Sequence, residues 1–279
     1  MTPPRDGSAK PPGSKKPDFK QGFWQRRSGP PRLPSHTQRE GMDHVVLYGW
    51  HPVSQALANA GRRFHRLLAT ENALLRLKET LAALPIEPEI VRPGAIDRLL
   101  GPDAVHQGLY AEAEPLEAPA LDAMPDDALL LAFDQITDPH NVGAIVRTAA
   151  AFGVTAIVTT ARHSPNATGV MAKSASGGLE HVPLVVVRNL AEALIELGER
   201  GFTRIGLDSD ADAPLDSVGP RRPAVLVLGA EGKGLRQRTR ECCDVLVRID
   251  ATGAIRSLNV SNAAAITLYA LTRPASEAA

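Results

Sequence analysis

An α/β fold is expected from this 279-residue sequence: a parallel sheet with helices on both faces, preceded by a smaller α/β unit. Three observations lead there. Short apolar runs recur along the chain as strand candidates, and amphipathic helical patterns fall between several of them. The run Leu129-Leu130-Leu131-Ala132-Phe133 is apolar throughout, as strands covered on both faces are. Regular alternation of the two element types favours parallel pairing, because a parallel crossover needs a helix-length connection.

The elements follow in order. Residues 1–41 are rich in Pro, Gly and Ser and carry nine Lys and Arg against three Asp and Glu. Such a segment cannot bury enough apolar surface to offset the entropy of ordering, so a disordered basic tail is expected, either a solubilising extension or an RNA tether. The small α/β unit covers 44–113. Its strands are expected at 45–48, 66–69, 89–91 and 109–111, and its helices at 52–60, 71–83 and 96–100; Pro52 opens the first helix and Gly61 follows it. Residues 114–127 are acidic and proline-bearing without periodicity, and read as a linker. The larger unit, 128–273, has strands at 129–133, 156–158, 182–187, 204–207, 225–228 and 245–249. Its helices are expected over 142–152, 190–200 and 259–271, the first stopping at Gly153.

Composition narrows the function classes. The hydrophobic fraction of 43% and zero net charge are ordinary for a soluble protein. No apolar run approaches the ~20 residues that span a bilayer, and the first residues lack the apolar core of a secretory signal. The two cysteines, Cys242 and Cys243, are adjacent, which suits neither zinc-ligand spacing nor a disulfide framework. Reduced thiols and a cytoplasmic location are expected. His140 and His163 carry no ligand spacing, so no metal is expected.

Three constellations carry chemistry. In the first, Asn141 to Ala149, Asn141 reads as a helix N-cap or the residue before it. Gly143 and Arg147 are four apart on one face, so the missing side chain leaves a notch beside a guanidinium suited to phosphate. The second is LGAEGKGL, residues 228–235, after a strand. It fails the P-loop pattern, because Lys233 is followed by Gly234, and it fails the dinucleotide pattern, because its glycines fall at 229, 232 and 234. Glu231 in its middle would repel a phosphate, so a neutral or cationic ligand is expected. In the third, Ser257, Asn259 and Ser261 stand at a helix start, where they can satisfy free backbone amides, ahead of an alanine-rich stretch.

Together and in this order, the three stretches resemble the signature of the SpoU (TrmH-type) RNA ribose methyltransferases of the SPOUT superfamily, approximately N-x-G-x-x-x-R-T-A, L-G-x-E-G-x-G-L and S-L-N-V-S. The resemblance spans roughly residues 129–272. His106-Gln107-Gly108 and the stretch around Lys173 to Gly178 look like the branch that methylates a guanosine of large-subunit (23S) ribosomal RNA, whose lead domain binds RNA. The resemblance implies a C-terminal trefoil knot, S-adenosylmethionine as cofactor, RNA as partner and a homodimer with the active site near the subunit interface. Asn141 and Arg147 would then act on a donor held by the other chain. It places Gly229, Ile249 and Leu258 in the donor pocket, with Leu228, Gly232 and Ala251 beside them. Arg147 would act as a clamp on RNA phosphate and developing alkoxide or as general base, with Asn141, Glu231, Ser257 and Asn259 orienting the reacting groups. Where the family commonly reads I-P-M-x-G, this chain has Ile249-Asp250-Ala251-Thr252-Gly253, so backbone contacts are what can carry over. Transfer RNA as substrate, and a non-catalytic RNA-binding or ribosome-assembly factor on the same fold, are the alternatives.

Overall fold

The computed structural model describes residues 44–161, 169–254 and 257–273; the basic tail, His163 and Arg256 lie outside them. The first sheet is four-stranded, in the order β1-β4-β2-β3. Its strands are β1 (Val45–Tyr48), β2 (Phe64–Ala69), β3 (Glu89–Ile90) and β4 (Leu109–Ala113). Helices α1 (Trp50–Ala58), α2 (Glu71–Thr80) and α3 (Pro93–Leu100) complete this unit. Helix α2 ends three residues before the expected 83, where Leu81 turns extended at φ −116° and ψ 130°. Pro85 disfavours helix in the residue before it, and Leu81, Leu84 and Ile86 fold back onto the small core. Helix α3 starts earlier than expected, with Pro93 in its first turn, where a missing N–H costs nothing.

The second sheet has seven strands in the order β7-β6-β5-β10-β8-β11-β9, and all its pairings are parallel. They are β5 (Leu129–Asp134), β6 (Ala156–Thr160), β7 (Leu184–Val187), β8 (Thr203–Leu207), β9 (Ala213–Pro214), β10 (Ala224–Gly229) and β11 (Val245–Arg248). Helices α4 (Pro139–Ala151), α5 (Gly169–Ala175), α6 (Leu190–Glu199), α7 (Gln237–Glu241) and α8 (Val260–Thr272) surround it. All six residues of β5 are buried, and their alternation divides the core. Leu129, Leu131 and Phe133 pack with Ile145 of α4 and Leu268 of α8, whereas Leu130 and Ala132 pack with Leu194 and Leu197 of α6. This two-sided burial is why the strand reads as an unbroken apolar run.

Elements α5, α7 and β9 were not expected. Each is short, and α5 is largely small residues, so neither periodicity nor length marks them. Half of the expected linker is pinned down: Leu121 and Met124 are buried on the α6 side. Arg200 donates to their carbonyls at 3.0 and 2.5 Å.

The two sheets meet through α5 and the turn after it. Glu180, with 2% of its side chain exposed, pairs with Arg62, 4% exposed, at 2.6 Å. Glu180 also accepts from Asn59 Nδ2 at 2.8 Å, and Arg62 donates to the Glu114 carbonyl at 2.7 Å. At the same seam Lys173 Nζ donates to Gln107 Oε1 at 3.1 Å, and burial lowers the Lys173 pKa.

Candidate active site

Loops at the carboxyl ends of parallel strands are where ligands bind in such sheets, above all where connections leave in opposite directions. Here β5 and β10 are neighbours, with β6 beyond β5 and β8 beyond β10. Both strand ends carry site residues. At the end of β5, Asp138 caps α4 by accepting from the His140 amide at 3.1 Å. The cap is therefore Asp138 and not Asn141, which lies in the first turn with its side chain available. The expected notch at Gly143 is also occupied. A Cβ there would lie 2.5 Å from Ser174 Cβ and 2.6 Å from the Met171 carbonyl, so this glycine lets α5 close on α4.

The glycine loop after β10 folds back on itself. Gly234 N donates to the Ala230 carbonyl at 2.9 Å, and Gly232 and Gly234 have φ of +75° and +63°, a region that favours glycine. A Cβ on Gly229 would meet the Gly234 carbonyl carbon at 2.2 Å, so no side chain fits there. Beyond the loop, Arg236 donates through its backbone amide and Nε to the two oxygens of Asp134, at 2.8 and 2.5 Å. Asp134 has a fully buried side chain at the end of β5, so the loop is tied to β5 at both ends.

Glu231 stands at the crest of this loop. Its Oε1 accepts from Asn259 Nδ2 at 2.6 Å, Asn141 Nδ2 at 3.2 Å and the Val260 amide at 3.3 Å. Asn259 Nδ2 also donates to Asn141 Oδ1 at 3.0 Å. The Asn259 Oδ1 caps α8, accepting from the Ser261 amide at 2.9 Å and its hydroxyl at 2.6 Å. One residue from each of the three sequence stretches is thus joined in a single hydrogen-bonded cluster.

Beside it lies a pocket of about 290 Å³ whose lining includes Leu228, Gly229, Glu231, Gly232, Ile249, Ser257 and Leu258, seven of the eleven expected site residues. Ala251 is not among the lining residues. Neither are Asn141 and Asn259, which reach the pocket through Glu231. Arg147 lies elsewhere: it is exposed, and among the described residues its guanidinium has no hydrogen-bond or ion-pair partner. Six residues along α4 place it about a third of a turn away from Asn141.

Sequence reasoning missed Asp208, Asp210, Lys233 and Arg240, which also line the pocket. Asp208 is buried just past β8 and pairs with Arg240 at 2.9 Å. Its signal was available: an acid directly after a buried parallel strand stands at the ligand-bearing edge. The pocket combines apolar walls, glycine backbone and a carboxylate surplus: Asp208, Asp210 and Glu231 line it against Lys233 and Arg240, and Arg240 is already paired with Asp208. That lining fits an adenosine carrying a cationic sulfonium better than a phosphate. Burial and then its neighbour Cys242 push the thiol of Cys243 up to about 12. Among the described residues no group of three or more His, Cys, Asp or Glu could hold a metal, and no helix is long and apolar enough to cross a membrane.

Comparison with known proteins agrees with this geometry. The profile of the SpoU rRNA Methylase family matches residues 128–269. A second, described as RNA 2'-O ribose methyltransferase substrate binding, matches residues 46–119. The chain belongs to the SpoU rRNA methylase family. It is similar to the 23S rRNA (guanosine-2'-O-)-methyltransferase RlmB of Pseudomonas putida, 36% identical over 236 residues that cover 81% of this chain and 95% of the relative. RlmB of Ralstonia nicotianae is 37% identical, with 82% and 95% covered. Among solved structures, the SpoU methyltransferase AviRb of Streptomyces viridochromogenes in complex with AdoMet superimposes with a TM-score of 0.70, at 26% identity, covering 82% of this chain and 90% of its own.

Proposed function

We propose that this chain transfers a methyl group from S-adenosylmethionine to the ribose 2'-oxygen of a guanosine in 23S ribosomal RNA, as a homodimer in the cytoplasm. The observation that carries the reading is the Asn141–Glu231–Asn259 cluster beside the pocket. The RlmB relatives, matched over nearly their whole length, support 23S RNA over transfer RNA as substrate.

Leu228, Gly229, Gly232, Ile249 and Leu258 would hold the donor. When bound, S-adenosylmethionine supplies an electrophilic methyl on a cationic sulfur. The chain's part is to position the ribose and exclude water. Glu231 and Asn259 fix Asn141, whose second amide hydrogen and second oxygen lone pair remain to orient the acceptor, and Ser257 adds a hydroxyl at the pocket wall. Arg147 clamps the neighbouring phosphate and stabilises the developing alkoxide; a guanidinium holds its proton too tightly to be a ready base, so the 2'-hydroxyl proton leaves to solvent as the methyl arrives. The place of Arg147 on α4, away from its own chain's pocket, favours action on a donor held by the partner copy. Ile266 and Tyr269 are 43% and 58% exposed on α8, an apolar surface that suits such a pairing. The C-terminal segment would thread a trefoil knot.

The test is to map ribose methylation on ribosomal and transfer RNA from cells with and without the protein. Loss of one guanosine methyl in 23S RNA is expected. Loss from transfer RNA alone would move the substrate, and no loss anywhere would end the reading.

A further inference from the structure

A second cleft, of about 710 Å³, opens at the carboxyl ends of β6 and β7, lined among others by Thr160, Arg188, Asn189, Glu192 and Arg236. Nothing in the proposed chemistry uses it. Its construction nevertheless points to a ligand. Arg236 is held from behind: its backbone amide and Nε are both spent on Asp134, whose side chain is fully buried. Asp134 offsets the charge but fixes the plane of the guanidinium, which stays 46% exposed and borders the cleft. A planar fork of donors held in one orientation is the form in which arginine recognises phosphate oxygens.

The other wall supplies further donors. Arg188 is exposed and has no partner among the described residues. The Asn189 Oδ1 is committed to capping α6 at the Ala191 amide, 3.1 Å away, which leaves its amide nitrogen as a donor. Glu192 is the one carboxylate among the lining residues. The donors thus outnumber the acceptors on the exposed walls.

Position identifies the ligand class. The cleft lies on the same edge of the sheet as the donor pocket, with only β5 between β6 and β10. Two strand spacings amount to about 10 Å, a short reach for a nucleic-acid strand. The two sites are also joined by one loop, because Lys233 lines the first and Arg236 the second. We propose that this cleft binds backbone phosphates of the RNA strand flanking the target ribose, with Arg236 and Arg188 as the phosphate ligands. The proposal rests on the RNA-methylating function above and assigns that RNA its path across the catalytic domain.

The experiment uses the full chain, an unmodified 23S RNA transcript, and the variants Arg188→Glu and Arg236→Lys. Lysine keeps a charge against Asp134 but loses the fork. Calorimetric titration with S-adenosylmethionine checks that each variant keeps its fold and donor site. With Arg188→Glu, which touches no part of the donor pocket, a roughly tenfold weaker equilibrium affinity for the transcript and unchanged donor affinity are expected, with a salt slope lower by about one per phosphate contact removed. Unchanged RNA affinity and salt slope in both variants would overturn the cleft assignment. Methyl transfer by the unaltered protein is read separately, so a failure of the catalytic reading is distinguishable from a failure of the cleft.

Discussion

Two glutamates in this chain each gather three hydrogen-bond donors, and they serve opposite ends. Glu180 lies between the two sheets with both oxygens engaged, by a charged guanidinium and an amide, and 2% of its side chain exposed. Glu231 is exposed at a pocket rim and draws two side-chain amides and a backbone N–H onto one oxygen, Oε1. A buried carboxylate must be paired in full or it destabilises the fold. An exposed one need not be, so its directional contacts can be arranged around a ligand. Burial and the charge of the donors, not the number of hydrogen bonds, separate the structural cluster from the one proposed to serve the reaction.

The sharpest way to break that contrast is Glu180→Ala. It leaves the Arg62 guanidinium buried without its counter-ion, and a loss of about 3–5 kcal/mol is expected, read as a fall in denaturant midpoint. Replacing both partners with apolar residues should recover most of it. A small effect of the single change would mean that water replaces the carboxylate and the seam is not sealed.

Next in size is Arg147→Ala. Removal of a transition-state donor costs about 10²–10³ in turnover, here with donor affinity within a few-fold of the parent. Loss of donor binding instead would place Arg147 in the pocket wall of its own chain. Glu231→Ala is expected to lower kcat by about 10²-fold through misplacement of Asn141 and Asn259. Its unfolding free energy should stay within about 1 kcal/mol, as for an exposed site. If Glu231→Ala unfolds the chain while Glu180→Ala does not, the roles are reversed.

The smallest effect belongs to an intermediate case, Arg204 with Asp244, whose side chains are 21% and 41% exposed. The Arg204 guanidinium, bonded to Asp244 at 2.5 Å, holds that carboxyl below its usual range. A depressed folded-state pKa gives stability that is present above the unfolded carboxylate value and is lost as pH falls through the folded one. Asp244→Asn should therefore cost under about 1 kcal/mol at neutral pH, and the difference should vanish in acid. Equal unfolding midpoints of the two proteins at neutral pH would show that the pair contributes nothing.

Much of the site was legible before folding, for a physical reason. Asn141, Glu231 and Asn259 stand in short stretches whose glycines, caps and strand ends impose local geometry. The cap itself was misplaced by three residues, because Asp138 and Asn141 both flank Pro139 closely and either side chain is chemically suited. Gly143 was read as a notch, since sequence shows a missing side chain but not the neighbouring helix that fills the space. Asp134, Asp208 and Arg236 were passed over because each looks like an ordinary acid or base at a strand or loop end. Arg236 meets Asp134 across 102 positions, a distance over which no periodicity speaks.

By itself the sequence determined the α/β class, the apolar strands of the parallel sheet and the helix start at Asn259. All of these are set by interactions between residues close along the chain. Tertiary structure alone decided that β5 and β10 lie side by side, that α5 closes on Gly143, that Arg62 meets Glu180, and that Arg147 does not line its own chain's pocket. Those outcomes depend on which strands become neighbours, and that choice is made by burial of the whole apolar surface at once.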